Sequence, residues 1–161
     1  MSNARNDHRG RVIADVDDHR QSVVTLQYAA EEARRRDAVL VAVTVWSPYG
    51  GDIAERTMPC PELDASQKAS ARSLLDTACT RARLPEGLPL ERRVERGVLG
   101  PVLAHMAHGP HDLLVIGPRH RHTLAWLRPS SDRYCIRNAA APLVIVPAEW
   151  APTATHPTPA T

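Results

Sequence analysis

The stretch AVLVAVTVW, residues 38–46, is almost wholly apolar and rich in β-branched side chains. Such a run predicts a central β-strand, because the strands of a parallel sheet are buried on both faces and do not alternate polar with apolar residues. A second stretch, DLLVI at residues 112–116, has the same character. Two strands of this kind predict an α/β domain whose sheet is covered by helices on both faces.

Strands and helices alternate around these two segments. The other strands are predicted at residues 11–16, 90–96 and 142–147, and the helices at residues 22–36, 64–83, 101–108 and 131–139. Ser22 and Asp64 are the predicted N-caps of the first two helices, since their side-chain oxygens can accept hydrogen bonds from free backbone N–H groups. The third strand is charged, which predicts a position at the edge of the sheet. The alternation predicts a five-stranded parallel sheet with right-handed crossovers.

The length and charge of the chain limit its organisation and its partners. The chain has 161 residues, which fits one domain. Residues 1–10 are polar and residues 149–161 are rich in Pro, Thr and Ala, so we predict two flexible tails around a domain at residues 11–148. With 20 basic and 18 acidic residues the net charge is only +2, which does not indicate binding to nucleic acid.

The distribution of apolar residues and cysteines indicates a location. No stretch reaches the roughly 20 apolar residues of a membrane span, and the polar residues 1–10 do not resemble a signal peptide. Cys60, Cys79 and Cys135 are far apart and form no CxxC pair. Unpaired thiols are typical of a reducing compartment. We therefore expect a cytoplasmic protein without a membrane contact.

Two longer segments each combine several features in order. Residues 12–46, VIADVDDHRQSVVTLQYAAEEARRRDAVLVAVTVW, contain a strand followed by Asp17, a helix with Ala-Ala-Glu-Glu-Ala, and the long apolar second strand. Residues 111–147, HDLLVIGPRHRHTLAWLRPSSDRYCIRNAAAPLVIVP, contain an apolar strand ending in glycine, a basic loop, a helix led by serine, and a last strand flanked by Pro142 and Pro147. Together these segments resemble the universal stress protein family.

The resemblance covers residues 11–147 and implies a fold and a partner. The implied fold is an α/β sheet of the adenine nucleotide α-hydrolase-like, Rossmann-like type, with strand order 3-2-1-4-5 and helices on both faces. The implied partner is a second copy of the chain, joined as a homodimer along the last strand at residues 142–147.

Some members of that family bind ATP through a recognisable set of residues. They use an Asp after strand one, a branched residue at the end of strand two, and a loop patterned Gly-x2-Gly-x9-Gly-Ser/Thr after strand four. Asp17, Val45 and Gly117 match the acid, the branched residue and the first glycine. Glycines in such loops allow backbone N–H groups to approach phosphates closely. The resemblance therefore implies a nucleotide-type pocket where strands one and four end, with ATP as the possible ligand.

The rest of the loop departs from that pattern. His120 stands at the second glycine. In one register Pro129 stands at the third glycine and Ser130 at the hydroxyl position, and in the other register Ser131 carries the hydroxyl. Proline has no N–H group to donate to a phosphate, whereas Arg119 could supply a charge-assisted bond to an anion.

The acids beside Asp17 also bear on the ligand. Asp15 and Asp18 stand where glycines are common in the family, and carboxylates facing the pocket would repel a triphosphate.

The sequence therefore predicts a non-catalytic stress-response or regulatory module with a degraded ATP-type pocket. The alternative is a dimeric protein-interaction module without a ligand. A nucleotide hydrolase is less favoured, because no nucleophile and general base stand at a recognised spacing.

A metal site is the remaining hypothesis. His105 and His108 lie three residues apart on a predicted helix, which is a spacing that suits two metal ligands. No cysteine or acidic residue joins them at a recognised spacing. We therefore expect no metal.

Overall fold

The computed structural model describes residues 10–18, 20–48, 51, 56–117 and 131–151. The strands of its sheet are β1 (Arg11–Asp15), β2 (Val39–Trp46), β3 (Leu90–Arg96), β4 (Leu113–Ile116) and β5 (Leu143–Ile145). The helices that cover the sheet are α1 (Gln21–Arg35), α2 (Pro61–Ala82), α3 (Leu99–Met106) and α4 (Ser131–Asn138). All strand pairs are parallel and the order is β3-β2-β1-β4-β5, which confirms the predicted fold and the edge position of β3.

The sheet separates two apolar cores. Val12 and Ile13 are neighbours in β1 and point to opposite faces, and both are fully buried. Helices α1 and α2 cover the face of Val12, where Leu26 is buried, and α3 and α4 cover the face of Ile13, where Leu103 is buried. Burying one such side chain contributes about 2 kcal/mol. Because both faces are covered, the central strands are apolar throughout.

The structure corrects both predicted N-caps. Helix α1 begins at Gln21 without a side-chain cap, so Ser22 lies inside the helix, and its hydroxyl bonds to Asp17 instead. Helix α2 begins at Pro61, which places Asp64 within the first turn rather than before it. Proline suits the first helical position because its φ angle is already helical. A carboxylate in the first turn is favoured by the helix dipole.

Arg11 and Asp112 close the amino edge of the sheet, which is the edge where the strands begin. The Arg11 guanidinium donates from Nε to Asp112 Oδ1 at 3.1 Å, from Nη2 to Asp112 Oδ2 at 2.5 Å, and from Nη2 to the Met106 carbonyl oxygen at 2.9 Å. The Gly109 N–H donates to Asp112 Oδ2 at 2.8 Å. Burial alone would raise the pKa of Asp112, but the bonds from Arg11 and Gly109 and the charge of Arg11 lower this pKa below its usual value.

Beyond β5 the chain turns back onto α1. Val146 is buried, and the Trp150 N–H donates to the Pro147 carbonyl oxygen at 3.1 Å. The Trp150 ring meets the Tyr28 ring edge to face, with centroids 5.3 Å apart and planes at 83°. The segment predicted as a tail from residue 149 therefore begins within a packed turn. Residues 152–161 and residues 1–9 of the other predicted tail lie outside the described residues.

Candidate functional site

A cavity of about 880 Å³ opens at the carboxyl edge of the sheet, where the strands end. It lies at the point where adjacent strands β1 and β4 send their next helices, α1 and α4, to opposite faces. Ligands of open α/β sheets bind at such a point, and a nucleotide fits a cavity of this volume. Its described lining consists of residues 15–18 and 97–101 with Thr44, Val45, Ser47, Ala71, Leu74, Ser131 and Tyr134.

Asp17 lines the cavity just beyond β1, and Ser22 holds it in place. The Asp17 N–H donates to Ser22 Oγ at 2.9 Å, and Ser22 Oγ in turn lies 2.6 Å from Asp17 Oδ1, to which it donates. Ser22 is 4% exposed, so water does not compete for these bonds. The carboxylate therefore has a fixed orientation at the cavity. The role of Asp17 toward a ligand stays a prediction.

The floor of the cavity is an extension of the β1–β2 ladder. The Val16 N–H donates to the Val43 carbonyl oxygen at 2.8 Å, and Thr44 Oγ1 donates to the Val16 carbonyl oxygen at 3.1 Å. These bonds continue the pairing of β1 with β2 beyond Asp15. Val45, the predicted strand-two residue, is partly buried and lines the cavity with its neighbours. The floor is thus part of the rigid sheet rather than of a loop.

Carboxylates dominate the charge of this floor. Asp15 is 5% exposed at the end of β1, Asp17 is partly buried and Asp18 is exposed, and all three line the cavity. The described lining contains no arginine, lysine or histidine. The described lining therefore carries acidic side chains and no basic one. The effect of Asp15 and Asp18 on a triphosphate stays a prediction.

The opposite wall comes from α3 and α4, which approach each other closely. A Cβ atom at Gly100 would lie 2.9 Å from Cβ of Tyr134, so only glycine leaves room for α4 here. The Cys135 thiol lies 3.7 Å from the Gly100 carbonyl oxygen on the same contact. This packing places Tyr134 and Ser131 at the cavity. The sequence prediction missed Gly100 and Tyr134, although a glycine directly before the helix predicted at residues 101–108 was a usable signal.

Gly117 has a packing role on the other side of the sheet. It follows β4 directly, and a Cβ atom at this position would lie 2.6 Å from Oγ1 of Thr25 in α1. The chain therefore needs a glycine here whether or not a phosphate binds. Gly117 is not among the described lining residues, and its predicted role toward a phosphate stays a prediction.

Of the remaining predicted site residues, only one lies within the described part of the chain. Arg119, His120 and Ser130 lie outside the described residues. Ser131 begins α4 and lines the cavity. The choice between Ser130 and Ser131 as the hydroxyl residue therefore stays open.

Two features are absent from the described residues. No group of three or more His, Cys, Asp or Glu side chains in the described ranges is arranged to hold a metal ion. Within the same part of the chain, no helix has both the length and the apolar character needed to cross a bilayer.

Comparison with known proteins identifies the family. The sequence model of the universal stress protein family matches residues 8–147. The chain belongs to this family. No curated protein matches the sequence significantly.

Solved universal stress proteins share the fold. One, in complex with cAMP, has 22% identity and a TM-score of 0.64, with 87% of this chain and 98% of that chain covered. UspA from Lactobacillus plantarum has 19% identity and a TM-score of 0.66, with 85% and 97% covered. The Archaeoglobus fulgidus protein in complex with dAMP has 17% identity and a TM-score of 0.50, with 86% and 98% covered. At these identities the likeness establishes the fold.

Proposed function

We propose that this universal stress protein is a non-catalytic regulatory module whose cavity binds an adenine nucleotide of the AMP class in preference to ATP. The observation that carries the proposal is the cavity of about 880 Å³ at the carboxyl edge, with Asp17 fixed in its lining. A carboxylate accepts hydrogen bonds from amino and hydroxyl groups, which adenine and ribose both offer. Two proteins of the same fold hold cAMP and dAMP, which supports a ligand of this class.

The negative floor supports the preference for few phosphates. Asp15, Asp17 and Asp18 all line the cavity, and ATP brings more negative charge into it than AMP does. Like charges at short distance repel, and the repulsion grows when the site is shielded from water. We therefore expect ATP to bind about tenfold more weakly than AMP, a difference of about 1.4 kcal/mol.

The chemistry of the described lining supports binding without turnover. Hydrolysis of a phosphate ester needs a nucleophile with a base beside it, or a metal ion. The described lining holds Ser47 and Ser131 but no histidine, cysteine or lysine. It also holds three acids, but the side chain of Asp17 is engaged by the hydroxyl of Ser22, which lies outside the described lining, and not by either of these two serines.

Chains with free thiols suit a reducing compartment. The free thiols of Cys60, Cys79 and Cys135 therefore support a cytoplasmic role.

Calorimetry with AMP, ADP and ATP at one ionic strength tests the proposal. We expect AMP to bind most tightly. Asp18→Asn should reduce the difference in affinity between AMP and ATP, because this exposed residue lines the cavity. Asp76→Asn is the matched control, since Asp76 is an exposed acid on α2 outside the cavity lining. Tighter binding of ATP than of AMP, binding of no nucleotide, or steady phosphate release from ATP would contradict the proposal.

We also propose that the module is a homodimer joined along β5. This strand is the second edge of the sheet, and Ile145 in it is 47% exposed. An exposed apolar edge strand is a surface to which a second strand can add. Ile136 on α4, the helix that precedes β5 in the chain, is a second exposed apolar side chain, with 62% of it exposed.

Light scattering at micromolar concentration tests the dimer. We expect a dimer for the wild-type protein and a monomer for Ile145→Asp, because a charge on β5 would be buried without a partner. Leu63→Asp is the control, since Leu63 is 51% exposed on α2 and lies outside both β5 and the described cavity lining, so this variant should leave the dimer intact. A wild-type monomer, or a dimer that Ile145→Asp leaves unchanged, would contradict this part of the proposal.

A further inference from the structure

We infer that Ser22 is a positioning residue for the nucleotide site, and that it acts by fixing the carboxylate of Asp17. The inference rests on the proposed function, because it needs Asp17 to meet the ligand. It assigns a binding role to a residue outside the described cavity lining. The role follows from how the hydroxyl of Ser22 is used.

Among the described residues, the hydroxyl of Ser22 makes its hydrogen bonds to one residue, Asp17. It accepts the Asp17 N–H at 2.9 Å and lies 2.6 Å from Asp17 Oδ1 and 3.1 Å from the Asp17 carbonyl oxygen. A hydroxyl has one proton to donate. The charged oxygen at the shorter distance is the stronger acceptor, so the proton lies toward Oδ1. Ser22 thus ties the backbone and the side chain of Asp17 to each other.

The hydroxyl is not needed to start α1. The residue before the helix is Arg20, and Ser22 is the second residue within it. Alanine has a higher helix propensity than serine at such an interior position. Removal of the hydroxyl should therefore leave α1 formed and change the freedom of Asp17, which is the change that a ligand would sense.

Without the Ser22 hydroxyl, the Asp17 side chain would have one constraint fewer and would have to be ordered to a greater extent when the ligand binds. Ordering one such side chain costs enough binding free energy to weaken affinity about three- to tenfold. The loss should exist only while the side chain at position 17 has an oxygen that accepts this hydrogen bond. This dependence separates a positioning role from general damage to the fold.

A double-mutant cycle measured by calorimetry with AMP tests the inference. The variants are Ser22→Ala, Asp17→Ala and the combination, each with its melting temperature. Thr25→Val is the matched control, because Thr25 is another buried hydroxyl of α1 that donates to the Gln21 carbonyl oxygen at 3.0 Å and makes no hydrogen bond to Asp17. We expect Ser22→Ala to weaken AMP binding about three- to tenfold and to add nothing in the Asp17→Ala background, where no side-chain acceptor remains. We expect Thr25→Val to bind AMP as the wild type does.

The outcomes separate the two proposals. Absence of AMP binding by the wild-type protein would overturn the proposed function and this inference together. If Asp17→Ala weakens binding and Ser22→Ala does not, the proposed function stands and the inference is wrong. The inference is also wrong if Ser22→Ala weakens binding equally in both backgrounds, or if Asp17→Ala has no effect.

Discussion

The two edges of the sheet use aspartate in opposite ways. At the amino edge, Asp112 is 4% exposed, and its carboxylate is matched by the Arg11 guanidinium and the Gly109 N–H. At the carboxyl edge, Asp15 and Asp17 line a cavity whose described wall contains no basic side chain. A buried carboxylate stabilises the fold when its partners are in place, whereas acids around a cavity set which ligand can enter. Under the proposed function, one residue type thus stabilises the fold at one edge and selects the ligand at the other.

Removal of one acid at each edge in turn is the sharpest test of this comparison. Asp112→Ala should lower the free energy of unfolding by about 3 kcal/mol, because it leaves the partly buried Arg11 guanidinium without its carboxylate. The AMP affinity of this variant should match that of the wild type. Chemical denaturation and calorimetry measure the two quantities.

Asp17→Ala is the counterpart at the other edge. We expect it to lower the free energy of unfolding by about 1 kcal/mol, the value of one hydrogen bond, and to weaken AMP binding. If both variants lost stability and affinity to similar degrees, the division between the two edges would be wrong.

A smaller effect is expected where the carboxyl edge packs on α1. Gly117→Ala should lower the free energy of unfolding by about 2 kcal/mol, because its Cβ would press on Oγ1 of Thr25. Combining it with Thr25→Ala, which removes that atom, should restore part of the loss. Thermal unfolding of both single variants and the double variant measures the coupling. Strictly additive losses would show that Gly117 is required for another reason.

The pH dependence of stability should come from the amino edge. The pKa of Asp112 is lower in the folded protein than in the unfolded chain, so its contribution is complete above the unfolded value and is lost as pH falls through the folded one. The stability difference between the wild type and Asp112→Asn should therefore be constant near neutral pH and shrink in acid. Denaturation from neutral pH down to about pH 3 checks this. A difference that grew in acid would contradict it.

The fold was predictable because its signals are local. The continuous apolar runs of β2 and β4 and the charged β3 reflect burial, which acts on each strand separately, and their alternation with helices limits the topology. The position of Asp17 and Val45 at the cavity could also be predicted from the sequence, since parallel strands end at one edge of the sheet.

The remaining features depend on distant contacts. Arg11 and Asp112 are 101 positions apart, and no sequence pattern marks them as partners. Serine is a common N-cap residue, but the turn after β1 brings Asp17 to the hydroxyl of Ser22. Gly100 is required by Tyr134 of α4, which only the folded chain brings near. In each case the local pattern is compatible with several partners, and tertiary packing selects one.

The edge-to-face contact of Tyr28 with Trp150 gives the protein an intrinsic fluorescence probe. Their ring centroids are 5.3 Å apart, close enough for excitation of the tyrosine to pass to the tryptophan. Emission from Tyr28 should therefore be quenched while the turn after β5 rests on α1, and should recover when that turn detaches. Since β5 lies at one edge of the sheet and α1 covers its centre, the signal reports attachment of the chain beyond the last strand without any added label.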